Sequence, residues 1–105
     1  MTIIAVTNCS TGIAHTYMSA GGIEKACKKA GYACKVETQG SIGIEDKLSA
    51  NEIAKADLVI FSADLPILER ERFNGKLIYE CGTNDFIKDR NKALQAAVNF
   101  YNNHQ

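Results

Sequence analysis

The sequence predicts an α/β fold: three layers, α/β/α and Rossmann-like, built on a four-stranded parallel sheet of order 2-1-3-4. Three observations carry this. Short apolar runs alternate with longer amphipathic segments along the whole chain, and such alternation calls for right-handed crossovers between parallel strands. Two of the runs, residues 2–7 and 58–63, are almost continuously apolar, as strands covered on both faces must be. The chain has 105 residues, 46% of them hydrophobic, which is enough for one core, so residues 1–105 read as a single domain.

Each element has a local reason. Residues 2–7 are uncharged and rich in β-branched side chains, the pattern of a buried strand. A helix is expected from Gly12 or Ile13 to Ala30, because Thr16, Ala20, Ile23, Cys27 and Ala30 recur on one face while Lys25, Lys28 and Lys29 point away. Gly31 stands where a left-handed cap belongs, and the lysines before it suit the negative end of the helix dipole. Residues 33–38 form a second, more polar strand, placed at the sheet edge. Gln39, Gly40, Ser41, Ile42 and Gly43 read as a loop, since the glycines allow backbone angles other residues avoid. Ser49 and Glu52 make a capping box for a short helix ending near Ala56. Residues 58–63 are the third strand. Residues 64–74 carry the one proline and a Glu69-Arg70-Glu71-Arg72 charge cluster, and residues 76–80 are the fourth strand. Thr83 or Asp89 caps the final helical segment, and Ala93, Leu94, Ala97, Val98 and Tyr101 give the last helix its apolar stripe.

Composition removes several functions. Twelve basic and twelve acidic residues cancel, so nothing electrostatic favours nucleic acid or an anionic membrane surface. No stretch approaches the roughly 20 apolar residues of a membrane span, and the first residues lack the basic region of a secretion signal. The four cysteines, Cys9, Cys27, Cys34 and Cys81, form no CxxC pair and have no histidine at metal-ligand spacing. A zinc site, a disulfide framework and a cofactor are therefore not expected, and the chain reads as cytoplasmic with reduced thiols. No surplus apolar stripe is visible, which favours a monomer.

With the two most apolar strands at the centre, the sheet reverses its winding beside the first strand. Ligands in such sheets bind at the carboxyl ends of the strands, at that switch point. Cys9 lies just past the end of the first strand, and Ser10, Thr11, Gly12, Ile13, Ala14, His15 and Thr16 follow at a helix start. Unpaired N–H groups and the positive dipole end of a helix stabilise a thiolate and equally cradle a phosphate. Ser10, Thr11 and Thr16 add hydroxyl donors, and Gly12 lets the backbone close on an anion. Taken singly a cysteine is more often an inert core residue, the reading given to Cys27, Cys34 and Cys81; position and loop chemistry together favour a functional thiol at Cys9. His15 either assists that sulfur electrostatically or is a surface histidine with a local hydrogen bond. Asp64 either reaches the same face or is a solvated strand-end acid.

Several thiol chemistries compete. A cysteine phosphatase uses C-x5-R, with an arginine fork on the transferring group; here the sixth residue after Cys9 is His15, and Arg70, Arg72 and Arg90 are remote in sequence. A flavodoxin-like site would want aromatic residues around the flavin, and the chain has no tryptophan. A thioredoxin-like role would want CxxC. A low-activity phosphatase and a non-catalytic binding module on the same fold both stay open.

The string Cys9-Ser10-Thr11-Gly12-Ile13-Ala14-His15-Thr16 resembles the CPTGIAHT loop of the fructose-type IIB components of sugar phosphotransferase systems. The likeness continues through Val36-Glu37-Thr38-Gln39-Gly40-Ser41-Ile42-Gly43, where that family reads VETQGSIG, and through Ala56-Asp57, Ala63-Asp64 and Arg72-Phe73-x-Gly75-Lys76. Ser10 stands where the family has proline, and Asn8 where alanine is usual. The resemblance implies a phosphoryl relay. Cys9 would take a phosphoryl group from a phosphohistidine of the IIA component and pass it to a sugar held by the membrane IIC component, at the inner membrane face. It further implies that Ser10, Thr11, Gly12, Ile13, Ala14 and Thr16 bind the phosphoryl oxygens, and that His15 assists. Tyr17, Gln39, Gly40, Ser41, Ile42, Gly43 and Asp64 would then line the face shared by both partners.

Overall fold

The fold is that of a computed structural model, which describes residues 1–9, 13–40 and 43–104, residue 13 by its backbone alone. Strand β1 (Thr2–Asn8) leads to helix α1 (Ile13–Ala30), then β2 (Ala33–Gly40), β3 (Gly43–Glu45), α2 (Ala50–Lys55) and β4 (Leu58–Ala63). A 3-10 turn at Arg70–Phe73, strand β5 (Ile78–Cys81) and helices α3 (Thr83–Lys88) and α4 (Arg90–Asn103) complete the chain.

The sheet corrects the sequence expectation. It has five strands in the order β3-β2-β1-β4-β5, and it is mixed rather than wholly parallel. The additional strand, β3, pairs antiparallel with β2 through Thr38–Glu45, Gln39–Ile44 and Gly40–Gly43. Gln39, Gly40 and Gly43 are thus strand residues, not loop, and β3 rather than β2 forms the edge. Ser41 and Ile42 of that stretch lie outside the described residues, as do Ser10, Thr11, Gly12 and the side chain of Ile13. Without β3, the parallel strands follow the neighbour sequence β2-β1-β4-β5.

Alternation along β1 feeds two cores. Ile3 and Ala5 face α1, α3 and α4, joining Ile23, Cys27, Ile60, Phe86, Leu94 and Ala97. Ile4 and Val6 face the opposite layer, with Leu48, Ile53, Phe61, Ile67 and Phe73. Fully burying an aliphatic or aromatic side chain of this size stabilises by about 1.5–3 kcal/mol. Phe61 and Phe73 add an edge-to-face contact at 5.2 Å. Ala30 departs from its expected stripe and is exposed. Gly31 takes the left-handed conformation, φ 84°, and the Tyr32 N–H closes α1 on the Cys27 carbonyl at 2.9 Å. Both arms of the Ser49–Glu52 capping box form. Thr83 opens α3 behind Gly82, while Asp89 caps α4 through the Lys92 N–H.

The second layer depends on one buried acid. Glu37 of β2 has no exposed surface, yet it ends in a carboxylate. Arg72 grips both oxygens at 2.9 Å, the Leu48 N–H adds a bond at 2.9 Å, and Gln39 Nε2 donates at 2.8 Å. Burial pushes the Glu37 carboxyl up; the guanidinium, the Leu48 amide and Gln39 together bring it below its ordinary value. Gln39 also accepts from the Leu68 N–H at 2.8 Å and donates to the Leu68 carbonyl at 3.1 Å. The segment that leaves β4 at Asp64 is thereby tied to β2.

Two substitutions test these contacts through folding. Arg72→Met leaves the Glu37 carboxylate buried without its counter-charge and should cost about 3–5 kcal/mol in urea denaturation at pH 7. That loss should shrink at lower pH, where Glu37 protonates more readily in the variant. Gly22→Ala should cost about 2 kcal/mol by overpacking, because a Cβ there would stand 2.3 Å from the Phe86 carbonyl oxygen. A urea midpoint equal to wild type in either case would refute the corresponding assignment.

Candidate active site

Three strand ends meet at one corner of the sheet. Cys9 follows β1, Asp64 follows β4, and Thr83 lies two residues past β5. β1 and β4 are adjacent and parallel, and the Asp64 N–H bonds the Asn8 carbonyl at 2.9 Å, so the residues after both strands turn out side by side. The first turn of α1 adds His15. Beneath this corner Ser62 is fixed by Ser19 at 2.9 Å and by the Gly82 carbonyl at 3.0 Å, which fastens β4 to α1 and to the end of β5.

The sulfur of Cys9 is the hub. It lies 2.9 Å from His15 Nδ1 and donates to Asp64 Oδ2 at 3.1 Å. The Thr83 hydroxyl lies 3.5 Å from the sulfur, 3.1 Å from His15 Nδ1 and 2.8 Å from Asp64 Oδ2. His15 Nε2 is 3.1 Å from Asn84 Oδ1, an acceptor, so the contact suits the tautomer with its proton on Nε2, in which Nδ1 offers a lone pair. The thiol and the Thr83 hydroxyl bring two protons, and Nδ1 and Oδ2 are the two acceptors facing them. The thiol of Cys9, then the hydroxyl of Thr83, hold the Asp64 carboxyl below the ordinary aspartate range. Exposure rises outward: Cys9 is 7% exposed, His15 half-buried and Asp64 open to solvent. The sulfur therefore does not stand proud of the surface.

The other candidates divide. Ala14 and Tyr17 are exposed, and the Tyr17 hydroxyl donates to Glu45 of β3. Thr16 is buried, with its carbonyl accepting from Thr7 Oγ1 at 3.3 Å. Gly40 and Gly43 are partly exposed. Gln39, expected on a partner-facing loop, is 1% exposed, so its side chain supports the Leu68 segment and presents nothing outward. Cys27 is wholly buried; Cys34 and Cys81 pack against the same core. A thiol–thiol hydrogen bond with Cys27, and then burial, push Cys34 up, and burial pushes Cys81 up to about 12, values that suit inert core thiols. Thr83 and Asn84 have no place in the sequence-derived site. Applying the strand-end argument to the last strand as well as the first and third would have found them.

Residues 4–96 match the family described as "PTS system, Lactose/Cellobiose specific IIB subunit". The chain belongs to the IIB family of the sugar phosphotransferase system. Among similar proteins, a fructose-like EIIB component 2 of Escherichia coli K12 is 51% identical over 82% of this chain and 81% of its own length. A fructose-specific EIIB'BC component of Xanthomonas campestris is 47% identical over 91% of this chain, which spans only 16% of that longer protein. The solution structure of an enzyme IIB subunit from E. coli K12 superposes with a TM-score of 0.89 at 36% identity, covering 99% of this chain and 96% of that one. IIB membership ties the chain to sugar phosphotransfer. It also agrees with the fructose-type likeness carried by the Cys9 and Glu37 motifs. Among the described residues, no helix is long and apolar enough to cross a membrane.

The hydrogen bonds on Asp64 generate a pH prediction. A carboxyl held low in the fold adds stability above its unfolded value, about 3.9, and loses it as the pH falls through the native value. Thr83→Val removes the 2.8 Å donor, so the Asp64 carboxyl should titrate at higher pH than in wild type, read by carboxyl carbon NMR. An unmoved titration would mean that this bond does not hold the charge.

Proposed function

We propose that residues 1–105 act as one phosphocarrier domain in which Cys9 relays a phosphoryl group during sugar uptake. The donor is a phosphohistidine of a IIA component, and the acceptor is a hydroxyl of fructose or a fructose-like sugar held by a membrane IIC component. The relatives named fructose-like EIIB and fructose-specific EIIB'BC support this reading. The observation that carries it is the Cys9 sulfur at the strand ends, with a proton acceptor 2.9 Å away.

The chemistry needs little beyond positioning and charge control. The thiol proton passes to His15 Nδ1. The sulfur then attacks phosphorus in line, the S–P bond forms and the P–N bond of the donor breaks. Backbone N–H groups of residues 10–14, with Ser10, Thr11 and Thr16, hold the phosphoryl oxygens. The imidazolium of His15 balances the added charge, and the Thr83 hydroxyl steadies both His15 and Asp64. Asp64 acts in the other direction. Its carboxylate stands 3.1 Å from the sulfur and repels the phosphoryl dianion, which keeps the phosphocysteine ready to part with its group. In the second step the sugar oxygen attacks and the S–P bond breaks; the leaving sulfur takes back the proton held on His15 Nδ1, and the sugar's proton passes by the Asp64 carboxylate to solvent. Tyr17, Gly40, Ser41, Ile42, Gly43 and Asp64 border the docking face that both partners use in turn, at the inner side of the membrane.

A cysteine phosphatase is disfavoured because two of the three arginines are engaged elsewhere, Arg72 with Glu37 and Arg70 with Glu80. Incubation with phosphoenolpyruvate and the upstream relay proteins should place one phosphate on Cys9 by mass spectrometry, and none in Cys9→Ser. Phosphate found on another residue, or steady release from an aryl phosphate by the protein alone, would overturn the relay.

A further inference from the structure

The same corner is equipped for a second kind of ligand. Cys9 Sγ, one nitrogen of His15 and one carboxylate oxygen of Asp64 all lie within 4.8 Å of one another. We propose that these three side chains bind a zinc-class divalent cation, leaving one coordination position open. A sulfur, an imidazole nitrogen and a carboxylate oxygen suit borderline-soft Zn²⁺ or Co²⁺, whereas Mg²⁺ and Ca²⁺ want oxygen alone.

The supporting contacts are those of a metal centre. Asn84 accepts the Nε2 proton at 3.1 Å, which fixes the ring with its Nδ1 lone pair towards the sulfur. The Thr83 hydroxyl and N–H hold the two Asp64 oxygens at 2.8 and 3.4 Å. The sulfur contacts of 2.9 and 3.1 Å are hydrogen-bond distances. A tetrahedral ion about 2.3 Å from sulfur and about 2.0 Å from nitrogen and oxygen needs donor spacings of roughly 3.3–3.6 Å. The ring and the carboxylate must therefore each withdraw by about half an ångström, and both lie at the more exposed end of the site.

Coordination replaces the S–H bond by a metal–sulfur bond and releases one proton to water, with no change of oxidation state. No sequence motif announces such a site, because the donors stand at positions 9, 15 and 64 and meet only in the fold. The cation takes the sulfur electrons that phosphoryl acceptance needs, so it inhibits the relay; that consequence alone rests on the function proposed above.

The test is a Co²⁺ titration of chelator-treated protein. A single thiolate-to-cobalt charge-transfer band should grow to one equivalent, with about one proton released per ion, and Zn²⁺ should abolish it. The band should be missing in Cys9→Ser, and affinity should fall at least tenfold in His15→Gln and in Asp64→Asn. Asn84 is exposed, so Asn84→Ala keeps the fold and should weaken binding about 10- to 100-fold. No band in the wild type, a band surviving in Cys9→Ser, or affinity indifferent to the His15, Asp64 and Asn84 changes would overturn the site. Circular dichroism verifies that each variant is folded. Phosphorylation of metal-free Cys9 is scored separately, so the metal site and the relay can fail independently.

Discussion

The pairing of Glu37 with Arg72 is the constraint on which the rest of this molecule leans. A carboxylate with no exposed surface is costly to bury, and it is stable only because a guanidinium fork, a backbone amide and a glutamine amide satisfy it together. The arginine comes from the 3-10 turn after β4, and the acid from the middle of β2. Their contact closes the second layer over the sheet and draws in the segment that starts at Asp64. Gln39 extends it by holding both backbone groups of Leu68. Asn8 joins through the Pro66 carbonyl at 3.3 Å, which brings the strap to the very end of β1, one residue before Cys9. Two motifs far apart in the sequence, around Glu37 and around Arg72, are thus the two halves of a single internal brace.

Much of the architecture could be read in advance where the signal is local. Strands β1 and β4 announce themselves by unbroken apolar character, the Ser49–Glu52 box marks a helix start, and Gly31 marks a helix end. Strand β3 escaped because three residues, Gly-Ile-Glu, are too few to show alternation, and the glycines at 40 and 43 signal a turn. Gln39 misled for a related reason. An amide beside a glycine looks like surface, and only the long-range partners at positions 37 and 68 reveal that it is buried. At the site, Cys9 was found from its place after the first strand. His15 and Asp64 were reachable only as alternatives, since nothing local says whether a side chain turns towards the sulfur. Thr83 lies 74 residues from Cys9 and looks like an ordinary helix cap, so its part in the cluster depends wholly on the tertiary fold.

The cluster has a tight proton inventory. The Thr83 hydroxyl has one hydrogen and three neighbours able to receive it, at 2.8, 3.1 and 3.5 Å. While the thiol keeps its own proton, donation to Asp64 is the shortest choice. With no proton on the sulfur, the hydroxyl rotor could turn towards it without any backbone movement. Acid, imidazole and hydroxyl therefore respond to the charge on one atom by reorienting small groups, which is fast compared with loop or helix motion.

The bare α-carbon of Gly22 has a reach beyond packing. Helix α3 is six residues long, too short to persist on its own. It is seated where the main chain of its fourth residue, Phe86, rests against α1 with no side chain between them. Asn84 rides on that short helix and His15 on the longer one, so the intimacy of two backbones sets the pitch at which an amide meets an imidazole. A hydrogen atom where any other residue would place carbon acts, in this molecule, as the gauge block for a contact two turns away.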